Sequence, residues 1–161
     1  MMAITKGTDS YADIADAVAY HSGRLHNDDW HNASPYKREA ALKWATRMLD
    51  ALSWKGEKTA SSQALKWPRT YVYDDNGDQL DTTTIPQFLL DATSEYALQL
   101  LKTDRESDND SQGILEVKAG EVEVVFNSAD RASKTPSSVL RLINKYTTDS
   151  ASGNFSQVNR A

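Results

Sequence analysis

Cations alternate with aromatic residues in one stretch of the chain, and this stretch is the main candidate for chemistry. It comprises Trp54, Lys55, Lys58, Lys66, Trp67 and Arg69. Lysine and arginine bind phosphates while aromatic rings stack on bases, so the pattern is typical of a surface that binds single-stranded nucleic acid. The alternative, which the usual burial of tryptophan favours, is that Trp54 and Trp67 pack beside Trp44 while the lysines stay in water.

Three histidines recur at a spacing of five residues, at His21, His26 and His31. Imidazoles are common zinc ligands, and the regular spacing raises the question of a metal site. Five residues rotate a helix by about 500°, so successive imidazoles do not share a face. We therefore predict solvated loop histidines and no metal site.

A run of acidic residues, Asp74-Asp75-Asn76-Gly77-Asp78, is similar in composition to a calcium-binding loop. In such a loop the glycine occupies the sixth position, and carboxylates are required at the first and the twelfth. With Gly77 in the sixth position, those two positions hold Val72 and Thr83. The segment is therefore predicted to be a turn.

The sequence offers no set of residues that would catalyse a reaction. It contains no Gly-rich phosphate loop, no serine elbow and no His-Glu-x-x-His helix. Cysteine is absent, which excludes thiolate nucleophiles, disulfides and cysteine-ligated zinc. Carboxylate pairs such as Asp13 and Asp16 fall on predicted polar faces away from any concave apolar setting. We expect neither enzymatic activity nor a cofactor.

Composition favours one globular domain with a slight excess of acidic residues. The 161 residues are 39% hydrophobic and 25% charged, which is enough for a usable core. Lysine and arginine total 18 against 23 acidic residues, a net charge of −5, so any nucleic-acid role would have to rest on a local patch. No stretch approaches the roughly 18 apolar residues that span a bilayer. We expect cytoplasmic synthesis and no membrane anchoring.

Helix-start signals precede four amphipathic segments, which predicts a mainly α fold resembling a four-helix bundle. The signals are Ser10, Ser34-Pro35, Pro86 and Thr135-Pro136. The second helix carries its apolar stripe at Ala41, Trp44, Ala45, Met48, Leu49 and Leu52. The third has the widest apolar stripe and is expected to be the most buried helix. The polar segment 21–32 is predicted to be a loop.

Two short β-rich segments and a polar tail complete the predicted fold. Alternating valine and glutamate around Gly120 predict an antiparallel hairpin at about 114–126. Residues 149–161 are polar, with Phe155 and Val158 as their only large apolar residues. Such a segment becomes ordered only against a partner. We therefore expect a helical domain with the hairpin at residues 1–148 and an extended, partner-docking C-terminal tail at 149–161.

The order of these segments resembles that of a family of small tailed-phage proteins. The matching pieces are Ser10–Asp13, Ala17–His21, Lys37–Leu42, Gln63–Arg69, Val72–Gly77, Ile85-Pro86 followed by Ala92, Glu95, Ala97 and Leu98, and Val117–Phe126. The family is often labelled DnaT-like single-stranded-DNA-binding protein, and its members look like head-to-tail connector or adaptor subunits. By this resemblance the chain is identified as a connector protein of a phage neck.

The resemblance implies a structural virion protein that assembles as a ring, typically of twelve copies, between the portal protein and a tail or nozzle protein. Such a ring is made in the host cytoplasm and lets genomic double-stranded DNA pass through its lumen without sequence-specific binding. We expect contacts with the portal or a neighbouring subunit in the hairpin and the tail. The candidates are Glu116, Val117, Glu121, Glu123, Phe155 and Val158.

The competing hypothesis is a DnaT-like accessory protein of replication that binds single-stranded DNA. It would use the alternating patch described above, from Trp54 to Arg69, with the aromatic rings stacking on bases and the cations on phosphates. An affinity for oligonucleotides that falls as the salt concentration rises would support this hypothesis.

Overall fold

Helices dominate the regular structure of the protein. The computed structural model describes residues 4–105, 116–119, 122–125 and 134–148. Its helices are α1 (Ile14–Ser22), α2 (Asp28–Asn32), α3 (Pro35–Asp50), α4 (Gln87–Lys102) and α5 (Ser137–Ile143), which continues into a 3₁₀ helix (Asn144–Tyr146). Two antiparallel ribbons pair β1 (Glu57–Lys58) with β2 (Arg69–Thr70) and β3 (Glu116–Ala119) with β4 (Val122–Val125). The predicted mainly α class is confirmed.

The start of α1 is fixed by Asp13 and not by Ser10. Asp13 Oδ1 accepts a hydrogen bond from the backbone N–H of Asp16 at 2.9 Å, and Asp16 Oδ2 accepts one from the N–H of Asp13 at 3.0 Å. These two bonds form a reciprocal capping box. Ser10 is fully buried instead, and its hydroxyl lies 3.0 Å from that of Thr46 on α3. The serine therefore ties the N-terminal segment to α3.

The central helix of the described core is α4. Nine of its residues are buried, more than in any other described helix, among them Leu89, Tyr96 and Leu98. It packs against α1, α2, α3 and α5. A helix that is covered on several sides needs an apolar surface wider than a single stripe, which the sequence of α4 provides. The prediction that this helix is the most buried one is confirmed.

The segment predicted to be a loop contains the short helix α2. Trp30 in this helix is completely buried, and α2 packs against α4. Arg38 of α3 fixes the end of α2, since its guanidinium donates to the carbonyl of Trp30 at 2.8 Å and to that of His31 at 2.7 Å. A single aromatic anchor thus overrides the polar composition, and the loop prediction is wrong for Asp28–Asn32.

The first of the three histidines, His21, is buried, contrary to the prediction of a solvated side chain. Its imidazole is fully covered and packs on Trp30 with the ring centroids 4.7 Å apart. Burial, together with the nearby charge of Arg24, lowers the pKa of His21 to about 4. His26 and His31 are exposed, and the described part of the chain contains no cluster of residues that could hold a metal ion.

Because of His21, we expect the free energy of unfolding to decrease as the pH falls from 6.5 to about 4. The unfolded chain protonates this histidine near pH 6.5, whereas the folded protein does so only near pH 4, so stability is full above the first value and is lost as the pH falls. The expected loss between pH 7 and pH 4.5 is about 2 kcal/mol, below the full linkage value because the folded protein begins to bind the proton as the pH approaches 4. Urea unfolding of the wild type and of His21→Leu, each at pH 7 and pH 4.5, measures this loss. Equal losses in the two proteins would contradict the assignment.

A close approach of two backbone segments holds the connector between α3 and α4. Gly56 has φ +69°, and a Cβ at this position would overlap the carbonyl oxygen of Thr70 and the side chain of the buried Val72. Glycine is required at this position because it has no Cβ and because other residues adopt this φ only with strain. The contact brings β1 and β2 together and fixes residues 54–58 against residues 69–72.

The predicted hairpin is present between β3 and β4. Glu116 lies opposite Val125, and Ala119 lies opposite Val122. The two strands fall within the predicted range of 114–126. The paired positions include three of the residues that the sequence analysis placed in a subunit interface, Glu116, Val117 and Glu123.

The other interface candidates lie outside the described residues. These are Glu121, and Phe155 and Val158 of the predicted tail, together with the rest of the segment 149–161. The division into residues 1–148 and a docking tail therefore stays a prediction. Within the described ranges, no helix is both long enough and apolar enough to cross a membrane.

Candidate nucleic-acid interface

The two tryptophans of the predicted patch belong to the core. Trp54 is 5% exposed and Trp67 is 1% exposed. Their rings meet edge to face with centroids 5.5 Å apart, and Trp67 makes a similar contact with Phe88 at 5.4 Å. The indole N–H of Trp54 donates to the carbonyl of Leu49 at 3.0 Å. Neither ring offers a face on which a base could stack, so the stacking role predicted for them is wrong.

Arg69 is also committed to the fold. The residue is 9% exposed, and its guanidinium donates to the carbonyls of Gly56 at 2.5 Å, Lys55 at 2.7 Å, Lys66 at 3.2 Å and Trp54 at 3.4 Å. Burial lowers the pKa of Arg69 from its usual value. All five donors of an arginine point in fixed directions, so this set of bonds leaves little for a phosphate. The arginine joins the start of the segment between α3 and α4 to the later part of the same segment.

The three lysines of the patch each donate to a backbone carbonyl. Lys66 Nζ donates to Leu52 at 2.9 Å, Lys55 Nζ to Lys145 at 2.8 Å and Lys58 Nζ to Gln63 at 3.3 Å. Lys55 and Lys58 are exposed, whereas Lys66 is only partly so. Because the aromatic residues between Trp54 and Arg69 are buried, this pattern belongs to the folded segment between α3 and α4 and does not form a surface on which bases stack. The packing alternative is correct in that Trp54 and Trp67 are buried, and the rings beside Trp67 are those of Trp54 and Phe88.

Exposed aromatic rings occur instead on α3. Tyr36 is 79% exposed and Trp44 is 36% exposed. At about 100° per residue, both fall within an arc of about 120° that also holds three cations. We call this surface the α3 outer face; its members are Tyr36, Lys37, Ala40, Lys43, Trp44 and Arg47. The opposite side of the helix holds the buried residues, so Trp44 lies at the edge of the core and not within the apolar stripe predicted for it.

The cations of the α3 outer face are not neutralised within the described part of the chain. Lys37, Lys43 and Arg47 form no ion pair and no side-chain hydrogen bond with another described residue. The two carboxylates of the same helix, Glu39 and Asp50, are half-buried and lie at the margin of the arc. An acidic protein thus carries one helix face whose local charge is positive.

A cavity of about 550 Å³ adjoins this face. Lys43 and Arg47 line it from α3, and Thr8 and Asp9 line it from the N-terminal turn. The backbone of this turn is fixed by the bond from the Gly7 N–H to the Ser10 carbonyl at 2.7 Å. The volume of the cavity lies within the range of about 300 to 1,000 Å³ that small-molecule sites occupy.

A second pair of exposed aromatic residues, Tyr71 and Tyr73, lies in a setting of the opposite charge. They are 62% and 49% exposed on either side of the buried Val72. The turn that follows begins at Asp74, whose Oδ1 accepts the N–H groups of Asn76 at 2.8 Å and Asp78 at 2.9 Å, as the predicted turn requires. These bonds lower the pKa of Asp74, which keeps its negative charge beside the tyrosines. Although Lys145 pairs with Asp75 of this turn, the carboxylates make the setting less favourable for phosphates than the α3 outer face.

The family to which the chain belongs follows from one comparison. A family model described as "Putative DnaT-like ssDNA binding protein" matches residues 3–161. The chain belongs to this family. No curated protein and no solved structure matches the chain. The DnaT-like match covers almost the whole sequence, from the segment before α1 to the last residue.

The DnaT-like family corrects the identification as a head-to-tail connector. The matching model describes a single-stranded-DNA-binding family and not a connector family. The expectations that rested on the connector identification are therefore wrong: a ring of twelve copies, portal and tail or nozzle partners, and passage of double-stranded DNA through a lumen. The competing hypothesis of the sequence analysis agrees with the family, although its residues do not form the exposed surface that it required.

The sequence contains a signal for the α3 outer face that the pattern from Trp54 to Arg69 concealed. Tyr36, Lys43 and Arg47 recur at intervals of seven and four residues, and Lys37 and Trp44 at an interval of seven. These intervals place residues on one side of a helix. If Trp44 is assigned to the apolar stripe, the other members of the face cannot be distinguished by sequence from an ordinary solvated helix surface.

Proposed function

We propose that this protein binds single-stranded DNA through the α3 outer face. Two observations support the proposal: the family of the chain and the exposure of Tyr36 and Trp44 among three unneutralised cations on one helix. The second observation carries it, because stacking rings and phosphate-binding cations are the two elements that sequence-independent binding of a single strand requires.

The geometry of the helix suits a short segment of single strand. Tyr36 and Trp44 are eight residues apart, about 12 Å along the axis, which is the length of roughly three stacked nucleotides. Bases that stack on the two rings would bring the backbone of the strand past Lys37, Lys43 and Arg47. A duplex cannot use the rings in this way, because its bases are already stacked inside the helix. The proposed role is binding, without making or breaking bonds.

The acidic balance of the chain shapes the expected affinity. The net charge of −5 repels a polyanion at long range, while α3 contributes four cations against two carboxylates. At low ionic strength the repulsion by the net charge and the attraction by the cations of α3 both act over long distances, and added salt screens both of them. We expect binding of moderate strength, with a dissociation constant on the order of micromolar, in which the local patch decides the outcome.

Neutralising the three cations of the α3 outer face is expected to weaken binding and to flatten its salt dependence. In the variant Lys37→Gln/Lys43→Gln/Arg47→Gln, the slope of log K against log salt should become shallower by about 2, since each phosphate contact with a single strand contributes about 0.7. Fluorescence anisotropy with a labelled oligonucleotide between 50 and 200 mM salt measures both quantities.

The matched control removes three exposed cations from other surfaces, Lys58→Gln/Lys102→Gln/Arg141→Gln, which changes the net charge by the same amount. If the proposal is correct, the control keeps the steeper slope. An equal loss in the two triple variants would show that only the net charge matters and would contradict a site on α3.

A further inference from the structure

The cavity beside the α3 outer face has walls of mixed chemistry. Lys43, Arg47 and Asp50 follow one another at intervals of four and three residues, so α3 presents all three along one wall. Asp9 stands on the N-terminal turn and Leu65 on the connector. Two cations, two carboxylates and an apolar side chain thus converge on one space of about 550 Å³.

Asp50 uses only one of its carboxylate oxygens within the fold. Its Oδ1 accepts a hydrogen bond from the hydroxyl of Tyr11 and another from the N–H of Lys66 at 2.7 Å. Burial and the carboxylate raise the pKa of Tyr11, so the phenol stays protonated and donates. The other oxygen, Oδ2, makes no hydrogen bond with any described residue. Asp50 is one of the residues that line the cavity, and its carboxylate has acceptor capacity beyond its bonds within the fold.

Asp9, which lines the cavity from the N-terminal turn, also uses only one carboxylate oxygen. Its Oδ2 accepts the N–H of Thr5 at 3.1 Å, while its Oδ1 has no hydrogen bond within the described ranges. A free phosphate would meet two carboxylates here as well as two cations, so the cavity is a poor site for a simple anion. A ligand with an anionic part and a hydrogen-bond-donating part suits it better.

We propose that this cavity receives one base of the bound strand and selects bases that carry an exocyclic amino group. This inference rests on the proposed single-strand binding. The phosphate of that nucleotide lies against Lys43 and Arg47, its amino group donates to Asp50 Oδ2 and to Asp9, and its ring packs against Leu65. Cytosine, adenine and guanine have such an amino group, whereas thymine and uracil do not.

Cytosine and uracil form the sharpest pair for this selection, because the two rings have the same size. Cytosine presents an N4 amino donor where uracil presents a carbonyl oxygen. A carboxylate accepts from the first and repels the second. The N3–H of uracil is also a donor, but the two carbonyl oxygens that flank it repel a carboxylate, so it compensates only in part.

The test compares labelled oligodeoxycytidylate and oligodeoxyuridylate of about 12 nucleotides on the full chain. We expect the cytosine strand to bind about tenfold more tightly. Asp50→Asn keeps an oxygen for Tyr11 and Lys66 and turns the other position into an N–H donor, so the preference should shift towards uracil. Asp9→Asn, on an exposed turn, should reduce the preference without affecting the core.

Far-ultraviolet circular dichroism establishes that each variant is folded before its affinity is compared. Equal binding of the two strands to the wild type, within a factor of about two, would overturn the cavity proposal while leaving single-strand binding intact. A cytosine preference that survives in both variants would overturn it as well. Failure of both strands to bind at low salt would instead count against the proposed function, and the cavity proposal would fall with it.

Discussion

The double substitution Tyr36→Ala/Trp44→Ala is expected to lower the affinity for single-stranded DNA by about 100-fold. Stacking of a base on an aromatic side chain contributes about 1 to 3 kcal/mol, and two stacked bases together account for a loss of this size. The slope of log K against log salt should stay unchanged, because Lys37, Lys43 and Arg47 remain in place. This combination of lost affinity and preserved slope separates stacking from electrostatic effects.

Intrinsic fluorescence gives an independent readout of the same contact. Trp30, Trp54 and Trp67 are all buried, and Trp44 is 36% exposed, so a change of fluorescence on binding should arise mainly from Trp44. The variant Trp44→Phe should therefore bind with little change of tryptophan emission.

Tyr73→Ala is the matched control for the aromatic variants, since Tyr73 is 49% exposed but stands beside Asp74. We expect this variant to bind like the wild type. A double alanine variant on α3 that binds unchanged, or a Tyr73→Ala variant that loses as much affinity, would exclude the α3 outer face as the site.

Replacing Arg69 with methionine is expected to reduce the free energy of unfolding by about 4 kcal/mol. The guanidinium satisfies four carbonyls, those of Trp54, Lys55, Gly56 and Lys66. Each carbonyl that stays buried without a donor costs about 1 to 3 kcal/mol, and some of the four will regain water after local rearrangement. Urea unfolding monitored by circular dichroism measures the loss.

Arg69→Met also decides between a structural and a DNA-binding role for this arginine. The control Lys58→Met removes an exposed cation of the same connector and should change stability by less than about 0.5 kcal/mol. If Arg69→Met leaves stability unchanged and abolishes strand binding, the pattern from Trp54 to Arg69 is the binding site after all, and the assignment to the α3 outer face is wrong.

Local sequence signals predicted α3, α4 and the hairpin of β3 and β4, but they missed α2 and placed the start of α1 at the wrong residue. Ser34 caps α3, its hydroxyl accepting from the Lys37 N–H at 3.3 Å, and Pro35 follows as the first helical residue. Pro86 precedes α4, and the alternation around Gly120 forms the hairpin. These signals act over a few residues, so they do not depend on the rest of the chain.

The location of the candidate site could not be predicted, because it depends on which aromatic residues the core accepts. Trp54 and Trp67 lie in a polar, lysine-rich segment, yet both are buried, with Trp54 packed on Trp67 and Trp67 packed on Phe88. Trp44 lies in an amphipathic helix, yet it stands at the edge of the stripe. Tertiary contacts decide which aromatic residues are buried, and these contacts cannot be inferred from a linear pattern of aromatic and basic residues.

The connector identification failed for a related reason. A shared order of helices and turns specifies an architecture, whereas the function depends on the surface that the architecture presents. The same segments that matched the phage proteins occur in a chain whose family is described by single-stranded-DNA binding. The exposed residues Tyr36 and Arg47, which fall outside or at the margin of those segments, carry the proposed function.

Titration of the wild-type protein with labelled single-stranded and double-stranded oligonucleotides of the same length, at 50 and at 200 mM salt, tests the central claim most directly. We predict that the single strand binds with a dissociation constant on the order of micromolar at the lower salt concentration, that the duplex binds more weakly, and that the affinity for the single strand falls as salt is raised. The absence of single-strand binding at 50 mM salt, or tighter binding of the duplex, would contradict the assignment of the α3 outer face as a single-strand site.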